Sequence, residues 1–365
     1  MCSDVLNNGE CAIIFDYISK CELSEQVAAL FPKDKVLNIE CSDFSKLQGL
    51  GFNEVGYSSN TFKQYDNAKR QTTQLNTLVD SINTEDTRLS PKMDRYLTSA
   101  SLVVFISSGS IKDVFSVLLD HRARKRFLDK VPTQQKPNLE EYMMALEELD
   151  EYSKEGELCG TKTHLIIGII DRLNKLKANT YMELMLKKGT ENNINLVDEI
   201  QKNQLICIKM PESMFSTDGE RDVYTTYWIS KLWLALQERK DRIGDRNQLR
   251  KVNLIIDELY QVKNTERFLT EKLSRLAKFA LKPIISCHYL NQIKNIREEL
   301  RSANTSYMLI SGCDKNNFKE LKDELAPFEL EDLLKLPQWH SMNLIKCKEG
   351  YARFITKLPL PLSNY

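Results

Sequence analysis

The residues best suited to chemistry are Asp257 and Glu258, in the stretch VNLIIDELYQV at 252–262. An apolar run with strand character ends in two adjacent carboxylates. An aspartate in that position can hold the water shell of a magnesium ion, and a neighbouring glutamate can polarise an attacking water. The chemistry needs both at the C-terminal end of a buried strand, where open α/β sheets bind ligands. The same pattern also describes an ordinary strand end with two solvated acids. Phosphoryl transfer further requires a loop of the form GxxxxGK(S/T), whose amides and lysine cradle the phosphates. The sequence has 13 glycines and none sits in that pattern. GELCGTKTH (156–164) comes nearest, but Thr161 separates Gly160 from Lys162, and the stretch follows a charged segment instead of a strand. SSGSIKD (107–113) fails as well.

Three further positions carry chemistry-bearing side chains. Asp16 closes the run CAIIFD and is expected either to face a nucleotide or to cap the next turn. In IISCHYLNQI (284–293), a second apolar run ends in Cys287 and His288. His288 suits a sensor of a terminal phosphate. A Cys–His nucleophile pair is not expected, because adjacent strand residues point to opposite faces. The basic clusters HRARKR (121–126), ERKDRIGDRNQLRK (238–251) and IKNIREELR (293–301) suit a phosphate backbone or a solvated helix face. The last two are mixed with acids, which favours the solvated face. The aromatics of VYTTYWISKLW (223–233) read as core packing.

The elements that must position these residues follow from patterning. Runs at 11–16, 35–40, 204–210, 252–258, 282–288, 306–312 and 341–347 read as strands, most of them apolar on both faces. Long amphipathic segments at 221–242 and 265–280 read as helices between them. Strand–helix alternation predicts an α/β fold with a mostly parallel sheet covered by helices on both faces. From 120 to 199 only THLIIGII (163–170) has β character, so this stretch is expected to form an inserted all-helical subdomain. The flanking residues, 1–119 and 200–365, would form the sheet domain. SLVVFIS, within 90–122, reads as helix because apolar positions at helical spacing continue on both sides.

Composition narrows the class. The 365 residues carry 51 basic and 51 acidic side chains, so no polyanion-coating role follows from net charge. Nine cysteines are scattered without any CxxC, which points to reduced thiols and away from a zinc site or disulfide framework. No apolar run approaches the roughly 18 residues a membrane span needs, and MCSDVLNNGE lacks the features of a signal peptide. A cytoplasmic chain is expected.

Taken in order, these stretches resemble the conjugative type IV secretion coupling-protein ATPases, within the FtsK–HerA superfamily of DNA-pumping motors. NGECAIIFD resembles the family's second strand and its aspartate. LGFNEV, with Asn53, resembles a later Phe–Asn element. RLSPKMDRYL (88–97) resembles the entry to the helical region. NLVDEIQKNQLICIKMPES (195–213), VNLIIDELYQV and SRLAKFALKPIISCHYLNQI resemble the strand before the long helix, Walker B and the sensor strand. LEDLLKLPQWHSMNLIKCKEGYARFITKLPLP resembles the closing strands.

The resemblance implies a RecA-like domain using ATP and Mg2+. Asp257 would serve the metal shell, Glu258 would activate water, His288 would read the γ-phosphate, and Asp16 and Arg275 would serve the nucleotide. It implies a homo-hexamer that moves single- or double-stranded DNA through a central pore and works with a relaxosome or other type IV secretion components. The departures are specific. The family's Thr–Gln falls on Cys287 and His288. The arginine that acts across subunits falls near Ala277, two residues from Arg275. Walker A and the membrane anchor that holds such proteins at the cytoplasmic face would precede residue 1. On this reading the 365 residues alone hydrolyse ATP poorly. Two other readings stay open: a non-hydrolysing degenerate subunit that docks in conjugation or phage DNA packaging, and an unrelated α/β small-molecule enzyme.

Overall fold

The computed structural model describes residues 2–56, 58–82, 89–303, 305–310 and 315–359. In chain order the strands are β1 (Cys11–Asp16), β2 (Val36–Glu40), β3 (Asp150–Tyr152), β4 (Leu158–Thr161), β5 (Leu205–Lys209), β6 (Val252–Ile256), β7 (Leu281–Ile285), β8 (Tyr307–Ile310), β9 (His340–Cys347) and β10 (Gly350–Lys357). Five of them form one parallel sheet in the order β2-β5-β1-β6-β7. The central strand β1 pairs with β5 and β6, placing Ile14 between Cys207 and Ile255.

Both faces of this sheet are covered. Cys11, Ile13 and Phe15 of β1 point into one apolar cluster, while Ala12 and Ile14 point into another. That explains why the strands read as continuous apolar runs instead of alternating ones. The first face is packed by α11 (Asp218–Ile243), and the second by α1 (Cys2–Asn7) and α2 (Glu22–Ala28), which supply Val5, Leu6 and Val27. Helix α11 is buried almost all round, and Tyr224, Tyr227, Trp228 and Trp233 are core residues as their spacing suggested. Thr217 caps its start by accepting the Glu220 amide, and Gly244 at φ 72° ends it.

The residues between β2 and β5 add no strand to that sheet. They form α3 (Thr61–Ser81), α4 (Pro91–Ile106), α5 (Ile111–Leu119), α6 (His121–Lys130), α7 (Lys136–Glu147), α8 (Ile167–Ala178), α9 (Thr180–Lys187) and α10 (Leu196–Glu199). SLVVFIS lies within α4, as expected from its spacing. One buried cluster runs from the sheet through α11 into these helices, taking in Leu97, Val104, Leu139, Ile169 and Met185. Two local expectations fail. THLIIGII is helical, because its apolar residues pack against neighbouring helices at helical spacing. The charged stretch at 150–161 is a β3–β4 hairpin, so the inserted region is not all helical. That hairpin is tied down by the buried Arg124, which donates to Asp150 at 2.9 and 2.7 Å and to the carbonyl of Val117 at 2.9 Å.

Helix α12 (Lys263–Leu276) connects β6 to β7. After β7 the architecture changes. Strands β8, β9 and β10 make a separate antiparallel sheet, in the order β10-β9-β8, over Phe318, Leu321, Leu325 and Leu333. The runs at 306–312 and 341–347 therefore do not extend the parallel sheet, and 311–312 lie outside the described residues.

Candidate functional site

In a parallel sheet all C-terminal strand ends lie on one edge. Here β1 is followed on one side by β6 and β7, so three neighbouring strands deliver Asp16, Asp257–Glu258 and Ser286–His288 to the same edge. The chain runs from β1 towards one side of the sheet and later adds β6 and β7 on the other. The cluster thus flanks a topological switch point, the usual crevice for ligands.

The acid pair is held by its neighbours. The Tyr17 hydroxyl, buried at the end of β1, donates to the carbonyl of Asp257 at 2.7 Å and lies 3.2 Å from that of Glu258. The Ser286 hydroxyl donates to Asp257 Oδ1, and Ser286 Oγ accepts the Glu258 amide at 2.9 Å. Glu258 itself has φ 49° and ψ 50°, a left-handed conformation that costs a non-glycine residue about 1 kcal/mol or more. Its carboxylate is engaged on both oxygens. Oε2 accepts from the Tyr260 hydroxyl at 2.9 Å and from Gln261 Nε2, while Oε1 lies 3.3 Å from His288 Nε2. His288 is 64% exposed and its backbone amide donates to Gln292 Oε1 at 2.9 Å.

Asp257, Glu258 and His288 therefore meet. Asp16 shares the edge, but its buried Oδ2 accepts the Ser24 amide at 2.8 Å, which pins the first turn of α2. Burial, with a smaller contribution from Asp257, raises its carboxyl above the usual range. Arg275 is not part of the cluster. It sits near the end of α12, at the opposite edge of the sheet where β7 begins, with its guanidinium 5.9 Å from the Trp233 ring centroid. Cys287 packs against the core, with its thiol raised by burial, whereas His288 faces solvent. That separation gives a nucleophile–base pair no geometry. In GELCGTKTH, Leu158–Thr161 is β4 and Lys162 Nζ donates to the Glu148 carbonyl, so this stretch is a hairpin arm.

Sequence reading missed Ser286, Tyr17, Tyr260 and Gln261. Each lies within three residues of a residue it singled out, yet hydroxyls and amides beside a strand end carry no distinctive spacing.

The loop after Glu258 is anchored from α11. Asp222, 4% exposed, accepts the amides of Asn264 at 2.8 Å and Thr265 at 3.2 Å, capping α12. Burial raises its pKa from 3.8 to about 6. A raised folded-state pKa means the folded chain binds the extra proton. The associated stability is full below about pH 4 and is lost as pH rises through about 6. Asp222→Asn is therefore expected to gain about 2–3 kcal/mol relative to the wild type between pH 4 and pH 7, as read by urea denaturation at each pH. A constant difference across that range would show that Asp222 is not protonated on folding.

Among the described residues no group of three His, Cys, Asp or Glu side chains could cage a metal. The donor set at the sheet edge is a carboxylate beside a hydroxyl. These are hard oxygen ligands that suit magnesium held by one carboxylate, water and substrate phosphates.

No protein-family model matches this chain, and no curated protein matches it. Solved structures do. The bacterial conjugative coupling protein TrwBdeltaN70, in its trigonal form with sulphate, superposes with a TM-score of 0.60 at 13% identity. That match covers 98% of this chain and 80% of that one. Its unbound monoclinic form gives 0.56 at the same identity and coverage. VirB4 of Thermoanaerobacter pseudethanolicus gives 0.50 at 12% identity, covering 98% of this chain and 83% of that one. The chain thus shares its mostly parallel α/β fold with that conjugative coupling protein along nearly its whole length.

Proposed function

We propose that this chain is a motor module of conjugative DNA transfer, whose β1–β6–β7 edge is the water-activating half of an ATP site. The observation that carries this reading is the convergence of Asp257, Glu258 and His288 on neighbouring strand ends of a fold shared with a coupling protein. Asp257 would hold magnesium through water, and the ion would neutralise charge on the phosphates. Glu258 orients and deprotonates the attacking water once Tyr260, Gln261 and His288 release its carboxylate. His288, exposed at the sheet edge, donates to the terminal phosphate. Arg275 serves the adjacent subunit of a homo-hexamer. Single- or double-stranded DNA passes through the ring, which docks on a relaxosome or other secretion components. No described helix is long and apolar enough to cross a membrane.

A second reading has its own support. The sequence holds no GxxxxGK(S/T), and Glu258 is engaged on both carboxylate oxygens. Both features fit a subunit that docks without hydrolysing.

Nucleic-acid binding separates the motor readings from a small-molecule enzyme. The purified chain is expected to bind labelled single-stranded or duplex oligonucleotides, with log affinity falling linearly in log salt, by about 0.7–0.9 per phosphate contacted. Absence of binding at low salt, together with saturable binding of a small metabolite, would overturn the proposal.

A further inference from the structure

The three basic clusters of the sequence have different fates. In 238–251 the cations are consumed internally. Arg239 donates to backbone carbonyls, Arg242 pairs with Glu238 at 3.3 Å, Arg250 donates to the Gln201 carbonyl at 2.8 Å, and Lys251 pairs with Glu10 at 3.4 Å. In 293–301, Arg297 pairs with Glu320 at 2.8 Å and Arg301 with Glu324 at 3.4 Å. Helix α6 is different. Its one buried cation, Arg124, anchors it to Asp150, Val117 and Thr161. That anchor fixes the rotation of the helix and turns Arg122, Lys125, Arg126 and Lys130 outward. All four are exposed, and none has a carboxylate partner among the described residues. Arg126 and Lys130 lie over the Phe127 ring at 5.5 and 5.3 Å, which restrains their side chains.

We propose that this outward face of α6 binds the phosphate backbone of a nucleic-acid strand. The inference rests on the motor reading above and gives it a contact surface. Arg122, Arg126 and Lys130 are spaced i, i+4, i+8 and so form a row with steps of about 6 Å along the helix. Phosphates of one duplex strand rise about 3.4 Å each, so the row meets roughly every second one. Lys125 lies beside the row. Asp129 lies beside the row as well, four residues after Lys125, and the face therefore has four cations against one acid. At its start Asp120 caps the helix through the Arg122 amide, with His121 Nδ1 3.8 Å from that carboxylate, and Asp150 is taken up by the buried Arg124. A membrane surface is a poorer fit. Phe127 is buried and α6 exposes no large apolar side chain, whereas an interfacial helix needs an apolar face.

The test uses the full chain and fluorescein-labelled oligonucleotides, single-stranded and duplex, across a salt series. The quartet Arg122→Gln, Lys125→Gln, Arg126→Gln, Lys130→Gln is compared with a control quartet of equal charge loss: Lys33→Gln, Lys35→Gln, Lys335→Gln, Lys348→Gln. The α6 quartet is expected to bind at least tenfold more weakly at low salt, and its log–log salt slope to shrink by about 2–3. The control should stay within threefold of wild type. Arg122→Lys with Arg126→Lys should keep the slope, which guards against a merely misfolded quartet. Equal losses in both quartets, or an α6 quartet that binds like wild type, would overturn this inference and leave the motor reading standing. A wild-type chain that binds no oligonucleotide would overturn both. Loss of binding to anionic phosphatidylserine vesicles, with oligonucleotide binding unchanged, would also overturn it.

Discussion

Lys231→Met is expected to destabilise the folded chain by about 3–5 kcal/mol, the cost of breaking a fully buried ion pair from one side. Lys231 Nζ lies 2.7 Å from Glu54 Oε1, and both side chains are 0% exposed. The same ammonium donates to Asn53 Oδ1 and to the Gly51 carbonyl at 3.4 Å, while the Tyr227 hydroxyl donates to that carbonyl at 3.0 Å. Helix α11 therefore grips the LGFNEV loop by charge as well as by packing. Burial lowers the lysine pKa and raises that of the glutamate, so each depends on the other to stay charged. With methionine in place, Glu54 loses its cation, keeps backbone amides such as that of Leu196 at 3.4 Å, and must take up a proton or draw in water. Urea denaturation reads the loss directly. The double variant Lys231→Met with Glu54→Leu should recover part of it, because the stranded charge is gone. A single-variant loss below about 1 kcal/mol would show that the pair is hydrated and contributes like a surface bridge.

Arg239→Met should cost about 2–4 kcal/mol, for a different reason. Arg239 is 1% exposed and has no carboxylate partner among the described residues; its guanidinium donates to the carbonyls of Ile200 at 3.2 Å, Arg250 at 3.0 Å and Phe279 at 2.7 Å. Those three carbonyls belong to the segments entering β5, β6 and β7. One side chain thus ties the N-terminal edge of the sheet, opposite the acid pair. Burial lowers its pKa to about 10, a sign that desolvating the charge is only partly offset by these bonds. Methionine leaves three carbonyls without a donor, each worth about 1–3 kcal/mol if kept from water. Arg239→Lys should rescue little, since an ammonium cannot reproduce the planar fork. A methionine variant within about 0.5 kcal/mol of wild type would contradict this account.

The parallel sheet was legible because its strands are apolar on both faces, and that same property marked Asp16, Asp257 and His288 as strand ends. Their convergence was legible too, since a parallel sheet puts all such ends on one edge. What escaped reading was whatever depends on partners far apart in the chain. Lys231 and Glu54 look like solvated charges until α11 is seen to be buried all round. The β3–β4 hairpin is charged and short, and Arg124 holds it from a distance through Asp150. THLIIGII has strand propensity, yet its surroundings impose helix. Asp16 is readable as either a ligand or a cap, and the fold adds the Ser24 amide that its Oδ2 accepts. Arg275 was placed with the nucleotide on resemblance alone, and the fold puts it on the far edge.

The central proposal is that the Asp257–Glu258–His288 edge is half of an ATP site, in a sequence that holds no GxxxxGK(S/T) loop. Magnesium-dependent ATP hydrolysis by the purified chain, beside its Glu258→Gln variant, tests this most directly. The account predicts no turnover above that of the variant, with or without DNA. Robust magnesium-dependent turnover that disappears in Glu258→Gln would contradict it, because the chain would then hold the phosphates with residues not identified above.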